Sequence, residues 1–477
     1  MNIIGRKNEI KNLEDLYKSN RSEFVAVYGR RRIGKTYLIR ELFKNRFTFY
    51  HTGLSPFDQY DGNLMHNQIK AFYNSMAHYG LEPEEKPMNW LEAFFMLERA
   101  LTKIDEGQRM VIFIDELPWM DTPKSLFIMA LEHFWNSWCN YRDNVLLIVC
   151  GSATSWMVHN LINNVGGLYG RLTDHIKLDP FTLSECEEFF KSKGITMSKY
   201  EITETYMALG GIPMYLEQFK KGLSVAQNLD KIIFNKNAKL NQEFKRLFGS
   251  LFINPEAYEN VIKAIAKKRS GCTRNEIIEA MGTSTGGGIS KIIEALQEND
   301  FIINYKPYGA KKTVKYKLTD PFCLTWLQFM SDGKTKENFW ESNYNSPALN
   351  TWRGIAYENV CFNHINEIKE ALGIKGILST EQPLIIYDED GKAETQIDML
   401  IMRNDNVTNL CEIKFCNDEY SIEELYWRKI NGRTEKLLEK LSKKASVYIT
   451  FITTFGIKRN MYSGIVQNSV TMEDLFL

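Results

Sequence analysis

Gly29, Arg30, Arg31, Arg32, Ile33, Gly34, Lys35 and Thr36 follow the apolar run Phe24 to Val27 and reproduce the spacing G-x-x-x-x-G-K-[ST]. That spacing suits phosphate chemistry. Backbone N–H groups can converge on phosphate oxygens only where no Cβ intervenes, so glycines open and close the loop. A helix starting at Lys35 adds the partial positive charge of its N-terminus. Lys35 would reach the β- and γ-phosphates as a solvated cation contributing little to the core, and Thr36 would offer a hydroxyl to Mg²⁺. About 80 residues further on, Val111 to Ile114 end at Asp115-Glu116. Asp115 would join the Mg²⁺ shell, and Glu116 would orient or deprotonate an attacking water. ATP, ADP and Mg²⁺ are therefore the expected ligands. Two further residues have two readings each. Ser152, after the apolar run Val145 to Val149, suits either a polar sensor of the γ-phosphate or a helix N-cap. Arg171 suits either an arginine finger supplied to a neighbouring copy's nucleotide, which would require a homo-oligomer, or a structural ion pair.

A second constellation lies near the C-terminus. Gln396 to Ile401 and Leu410 to Phe415 read as strands joined by the polar tract RNDNVTN. Side chains alternate along a strand, so Glu412 and Lys414 share one face and Cys411, Ile413 and Phe415 the other. Asp398 likewise parts from Ile397 and Met399, and Glu358 sits among apolar neighbours of a helical stretch. The arrangement, an acid followed by a hairpin and E-x-K, resembles the PD-(D/E)xK nucleases, with Ile397 where that pattern has proline. The resemblance implies that Asp398, Glu412 and the Ile413 carbonyl hold Mg²⁺ or Mn²⁺. It also implies that Lys414 positions water or stabilises the transition state, while Glu358 steadies the metal shell.

The elements that must position these residues follow from patterning. Strands are expected over Phe24–Val27, Phe47–His51, Val111–Ile114 and Val145–Val149, with helices over 62–79 and 89–104 separated by LEPEEKP. Gly5-Arg6, before an amphipathic helix, suits either a plain N-terminal helix or a contact beside the nucleotide base. Thr182 to Glu185 reads as a capping box, and Gly210-Gly211-Ile212-Pro213 as a break between helices. From residue 251, three helical faces are followed by strands Phe301–Tyr305 and Thr313–Leu318 around the turn 307–312, which spells a winged helix. Thr273 to Glu276 caps its second helix. Its basic residues are Lys263, Lys267, Lys268, Arg269, Arg274, Lys291, Lys306, Lys311, Lys312, Lys315 and Lys317, and the basic wing suits either DNA phosphates or packing between domains. A connector, Trp326 to Tyr344 with Gly333, leads to the last domain, whose helix Leu425–Leu441 and strand Val447–Thr453 follow the E-x-K.

GRRRIGKT, VIFIDELPW, GSATSWM, YGRLTDHIKLDPF and GGIPMYL together resemble the AAA+/STAND-type P-loop ATPases common in archaea and many bacteria. That family often carries a C-terminal nuclease-like domain. The implied fold class is α/β: a P-loop NTPase αβα sandwich over 1–180, a helical lid over 181–250 and a winged helix over 251–322. A connector over 323–345 and a restriction-endonuclease-like domain over 346–477 complete it. Lys+Arg and Asp+Glu both number 59, so nucleic-acid contact must come from a local patch rather than from global charge. The 8 cysteines show no metal-ligand spacing, the N-terminus is too charged for a signal peptide, and no apolar run reaches a membrane span. A cytoplasmic chain with no membrane partner is expected. Two functions remain open. One is an ATP-hydrolysing switch controlling a Mg²⁺-dependent DNA nuclease, in defence or mobile-element biology. The other is a regulatory ATPase whose last two domains bind DNA or protein without cutting.

Overall fold

Five strands of the first 180 residues pair into one parallel sheet, ordered β2-β3-β4-β1-β5. They are β1 (Glu23–Tyr28), β2 (Phe47–Thr52), β3 (Met110–Asp115), β4 (Val145–Gly151) and β5 (Asp174–Lys177). β3 and β4 are buried throughout, as a sheet covered on both faces requires, and this is why they read as unbroken apolar runs. Helices Trp90–Ile104 and Phe127–Ser137 send Trp90, Phe94 and Phe134 into one cluster with Phe24, Ile112 and Leu147 of the sheet. Each such side chain contributes about 1.5–3 kcal/mol on burial. Parallel register then sets the site. Tyr28 pairs with Gly151 and Ile114 with Val149, so the carboxyl ends of β1, β3 and β4 lie at one sheet edge. The computed structural model describes residues 3–55, 64–81, 85–282, 286–308, 310, 312–331, 337–387 and 393–477. Residues 62, 63 and 82–84, Lys311 and Gly333 lie outside the described residues.

The chain divides into two compact units, 1–180 and 181–477. The second opens on helix Leu183–Ser192, whose Thr182 and Glu185 form the full reciprocal capping box. Helix Lys199–Leu209 stops at Gly210, and Pro213 starts the next one. Between them, a Cβ on Gly211 would lie 1.9 Å from the Phe181 carbonyl oxygen. Helices Pro255–Ala266, Arg274–Ala280 and Gly286–Glu298 accompany a small sheet ordered β6-β8-β7, made of β6 (Cys272–Thr273), β7 (Ile302–Tyr305) and β8 (Lys315–Leu318). Thr273 and Glu276 close a second capping box there.

Helix Pro347–Asn363 leads into a five-stranded sheet ordered β13-β12-β11-β10-β9. Its strands are β9 (Ser379–Tyr387), β10 (Ala393–Arg403), β11 (Val407–Lys414), β12 (Ser446–Thr453) and β13 (Asn468–Thr471). β9, β10 and β11 are antiparallel neighbours, whereas β11, β12 and β13 run parallel. Helix Glu424–Lys440 supplies the crossover between β11 and β12. No helix among the described residues is long and apolar enough to cross a membrane.

Candidate functional site

The first site forms where β1, β3 and β4 end. Gly29 (φ 133°) and Gly34 (φ 92°) take backbone conformations that side chains resist, and a Cβ on Gly29 would lie 2.4 Å from the Leu178 carbonyl oxygen. Lys35 opens helix Lys35–Leu42. Contrary to the expected solvated cation, its side chain is buried, because the loop wraps it. Its ammonium donates to the Gly29 and Arg30 carbonyls at 2.8 and 2.9 Å. Burial pulls the Lys35 pKa below its ordinary value, and Cys150, Glu116 and Asp115 partly restore it. Arg30 is buried, Arg31 lies over the Trp119 ring, and Arg32 is left-handed. Arg6, also buried, donates to the Ile33 carbonyl, tying the N-terminal segment to the loop.

Two short links complete this site. The Thr36 hydroxyl donates to Asp115 Oδ2 at 2.9 Å, and the Ser152 hydroxyl to Glu116 Oε2 at 2.9 Å. Ser152 is therefore not a helix N-cap; Ala153 holds that position before Thr154–Met157. Glu116 sits at φ 48°, a left-handed conformation that aims its carboxylate at Ser152. Burial raises the pKa of both Asp115 and Glu116; for Glu116 the Asp115 charge adds, while for Asp115 the Thr36 hydrogen bond opposes. Hard oxygen donors on Thr36 and Asp115 are the type that Mg²⁺ takes. Arg171 is exposed and makes no ion pair among the described residues.

The second site lies on β10, β11 and helix Pro347–Asn363. Asp398 Oδ2 accepts from the Ile413 N–H at 3.0 Å and from Lys414 Nζ at 3.2 Å. Lys414 Nζ also reaches Glu412 Oε2 at 3.4 Å and the Ile413 carbonyl at 3.1 Å. Burial lowers the Lys414 pKa, but Asp398 and Glu412 outweigh it and hold the ammonium charged. Glu412 is fully buried and both its oxygens are engaged, Oε1 by Arg433 and Oε2 by Tyr426. Glu358, nearly as buried, accepts from Arg269 Nε at 3.0 Å, and a guanidinium nitrogen of Arg269 lies 3.7 Å from Asp398 Oδ1.

With both geometries described, residues 3–219 match the family of ATPase domains found predominantly in Archaea. These residues are an ATPase domain of that family. An uncharacterized protein of Methanocaldococcus jannaschii is 27% identical over 379 residues, 77% of this chain and 78% of that protein. An uncharacterized ATP-binding protein of the same organism is 40% identical over 44 residues, 9% of this chain and 75% of that protein. Among solved structures, a Walker-type ATPase of Pyrococcus abyssi aligns at 18% identity over 69% of this chain and 96% of that one, with TM-score 0.49. The ORC2 protein of Aeropyrum pernix aligns at 13% identity over 76% of this chain and 97% of that one, with TM-score 0.41.

Within the ATPase domain, Gly29 to Thr36, Asp115, Glu116 and Ser152 fall at one sheet edge, whereas Arg171 joins none of them by a hydrogen bond or ion pair. Outside it, Glu358, Asp398, Glu412 and Lys414 form one polar cluster. Sequence reasoning missed the arginines Arg269 and Arg433 that pair with that cluster and the Tyr426 phenol that donates to it. Tyr426 and Arg433 stand seven residues apart on one helix, two turns on the same face, and that spacing could have flagged them. Arg269 had no such signal, because its contacts are with residues far along the chain.

Proposed function

We propose that the ATPase domain hydrolyses ATP with Lys35 on the β- and γ-phosphates, Thr36 and Asp115 as holders of Mg²⁺, and Glu116 as the base. The observation that carries this reading is the pair of 2.9 Å links, Thr36 to Asp115 and Ser152 to Glu116, set side by side at one sheet edge. Mg²⁺, when bound, would offset the charge that gathers on the phosphate oxygens. Glu116, whose basicity burial increases, would accept a proton from water. Ser152 would hold that carboxylate in place or pass to the γ-phosphate. Arg171, exposed, is the candidate to reach a nucleotide held by a second copy.

For the second unit the reading is a divalent-dependent DNA-cleaving site under the control of the ATPase domain. Asp398 and the Ile413 carbonyl offer oxygens to a cation, and Lys414 is held charged where an attacked phosphate would gather negative charge. The three helices and hairpin of 255–318 are read as a winged helix carrying DNA beside it. One observation favours the other reading, binding without cleavage: both Glu412 oxygens are already engaged by Arg433 and Tyr426. The test is cleavage of plasmid, linear and single-stranded DNA by the pure chain with Mg²⁺ or Mn²⁺. It is run with no nucleotide, ADP and a non-hydrolysable ATP analogue. Cleavage that varies with nucleotide and is lost in Asp398→Asn is expected. Intact DNA in every condition would leave a regulatory ATPase with two binding modules.

A further inference from the structure

Among the described residues, three cationic groups form ion pairs with the acids of the second site, and they differ in origin. Lys414 belongs to β11 itself, and Arg433 to the helix packed on that sheet, where its side chain is buried. Arg269 comes from elsewhere, from the turn between helix Pro255–Ala266 and β6. Its guanidinium spans Glu358 and Asp398, and its side chain is 42% exposed against 3% and 10% for those two carboxylates. The solvent-facing partner of the pair is thus the arginine. The carboxylates are fixed by a helix and by a hydrogen bond from the Ile413 N–H.

We propose that Arg269 is an internal substitute for the divalent cation, latching the second site shut until the guanidinium swings out. This rests on reading Asp398 and Glu358 as members of a metal site. The edge of Asp398 that Lys414 leaves uncovered is Oδ1, and Arg269 lies against it. A cation bound at ordinary oxygen-ligand distances, about 2.0–2.6 Å, needs that edge and excludes a guanidinium from the same space. The swap keeps a cation between the two buried acids, the divalent ion bringing one more positive charge than the guanidinium, so neither acid has to be left unpaired.

The turn carrying Arg269 belongs to a module that meets the sheet domain at other polar points too. Asn359, next to Glu358, donates to the Leu318 carbonyl at 3.1 Å, and the Tyr308 hydroxyl donates to the Lys440 carbonyl at 2.7 Å. Lys317 of the same module is buried with its ammonium 5.1 Å from the Phe362 ring centroid. A small displacement of this module, by nucleic acid or by the ATPase cycle, would withdraw Arg269 and leave Lys414 and Arg433 in place. Opening would therefore draw Lys317 of the same module away along with Arg269.

The test is Mn²⁺ binding to the nucleotide-free full chain, followed by calorimetry and by the electron paramagnetic resonance signal of free Mn²⁺. Arg269→Ala should bind one Mn²⁺ at least about tenfold more tightly than wild type, since it no longer needs the latch to open first. Adding Asp398→Asn should remove that gain. Arg269→Gln, which keeps a donor facing Glu358, stands in if the alanine variant does not fold, and should tighten binding in the same direction. Equal affinity in wild type and the Arg269 variants, with both losing the ion on Asp398→Asn, would overturn the latch and leave the metal site standing. Absence of any Asp398-dependent Mn²⁺ in all of them would overturn the metal site and the latch together.

Discussion

The two polar sites of this chain balance their charges in opposite ways. At the phosphate loop, Lys35 bonds to backbone carbonyls, and the acids Asp115 and Glu116 are held by hydroxyls. No carboxylate there is paired with a cation at salt-bridge distance among the described residues. At the second site every acid meets a cation: Glu358 and Asp398 meet Arg269, Asp398 meets Lys414, and Glu412 meets Arg433. Hydroxyl and carbonyl partners exchange easily for phosphate oxygens and metal ligands. Ion pairs between buried groups do not, because breaking one strands a charge in a medium that solvates it poorly. On the reading proposed above, the first arrangement suits a ligand that comes and goes, and the second would admit one only after something moves.

The sharpest test of that contrast is catalytic. Glu116→Gln should keep ATP binding and lower turnover by about 10²–10⁴, because its hydroxyl-held carboxylate acts rather than braces. Steady-state hydrolysis and nucleotide binding measured on the same preparation decide it. Unchanged turnover would move the base elsewhere.

A pair of cation deletions comes next. Arg433→Ala leaves the buried Glu412 Oε1 without its partner and should destabilise the second unit by about 3–5 kcal/mol. Lys35→Met removes a cation whose charge burial already opposes, and should shift stability by less than about 1 kcal/mol. It should nevertheless weaken ATP binding about 100-fold, through lost charge-assisted hydrogen bonds to phosphate. Urea unfolding and nucleotide titration measure both. Equal destabilisation by the two deletions would erase the distinction.

The last test is a pH slope, and it separates the units. His364 is buried, with Nε2 accepting the Leu183 N–H at 3.0 Å and Nδ1 donating to the Val360 carbonyl at 2.9 Å, and burial lowers its pKa to about 4. In the first unit, burial lowers His51 to about 3. An unfolded histidine takes up its proton near pH 6.5, so the unfolded state binds more protons below that value and stability is lost as the pH drops. Each histidine should cost about 1.4 kcal/mol per pH unit. The loss should level off near pH 4 for His364 and continue toward pH 3 for His51. Unfolding of wild type and His364→Gln across this range should show the slope reduced only in the variant. Parallel curves would mean that His364 is protonated in the folded chain.

Much of this was legible in the residues because local chemistry dictated it. Thr182 and Thr273 announce helix starts through the glutamate three positions on, and the apolar runs before Gly29 and Asp115 announce buried strands. Period-two alternation was enough to gather Asp398, Glu412 and Lys414. β9 went unread because Pro383 argues against a strand, yet β9 lies at the sheet edge, where a missing N–H is tolerated. The burial of Lys35 was hidden because a lysine's surroundings depend on how its loop closes. Arg269 was hidden because an ion pair 89 residues apart leaves no local pattern.

The placement of β1 has a consequence for how the chain is born. β1 is the second element made, yet its sheet neighbours are β4 and β5, so nothing pairs with it until the ribosome has passed Val145 and then Asp174. At about 5–20 residues per second, the apolar strand that carries the phosphate loop waits some 6–25 seconds without a partner strand. During that interval it is a natural substrate for chaperones. Slowing translation between Tyr28 and Val145 should therefore lower the soluble yield of the whole protein more than slowing it after Lys177.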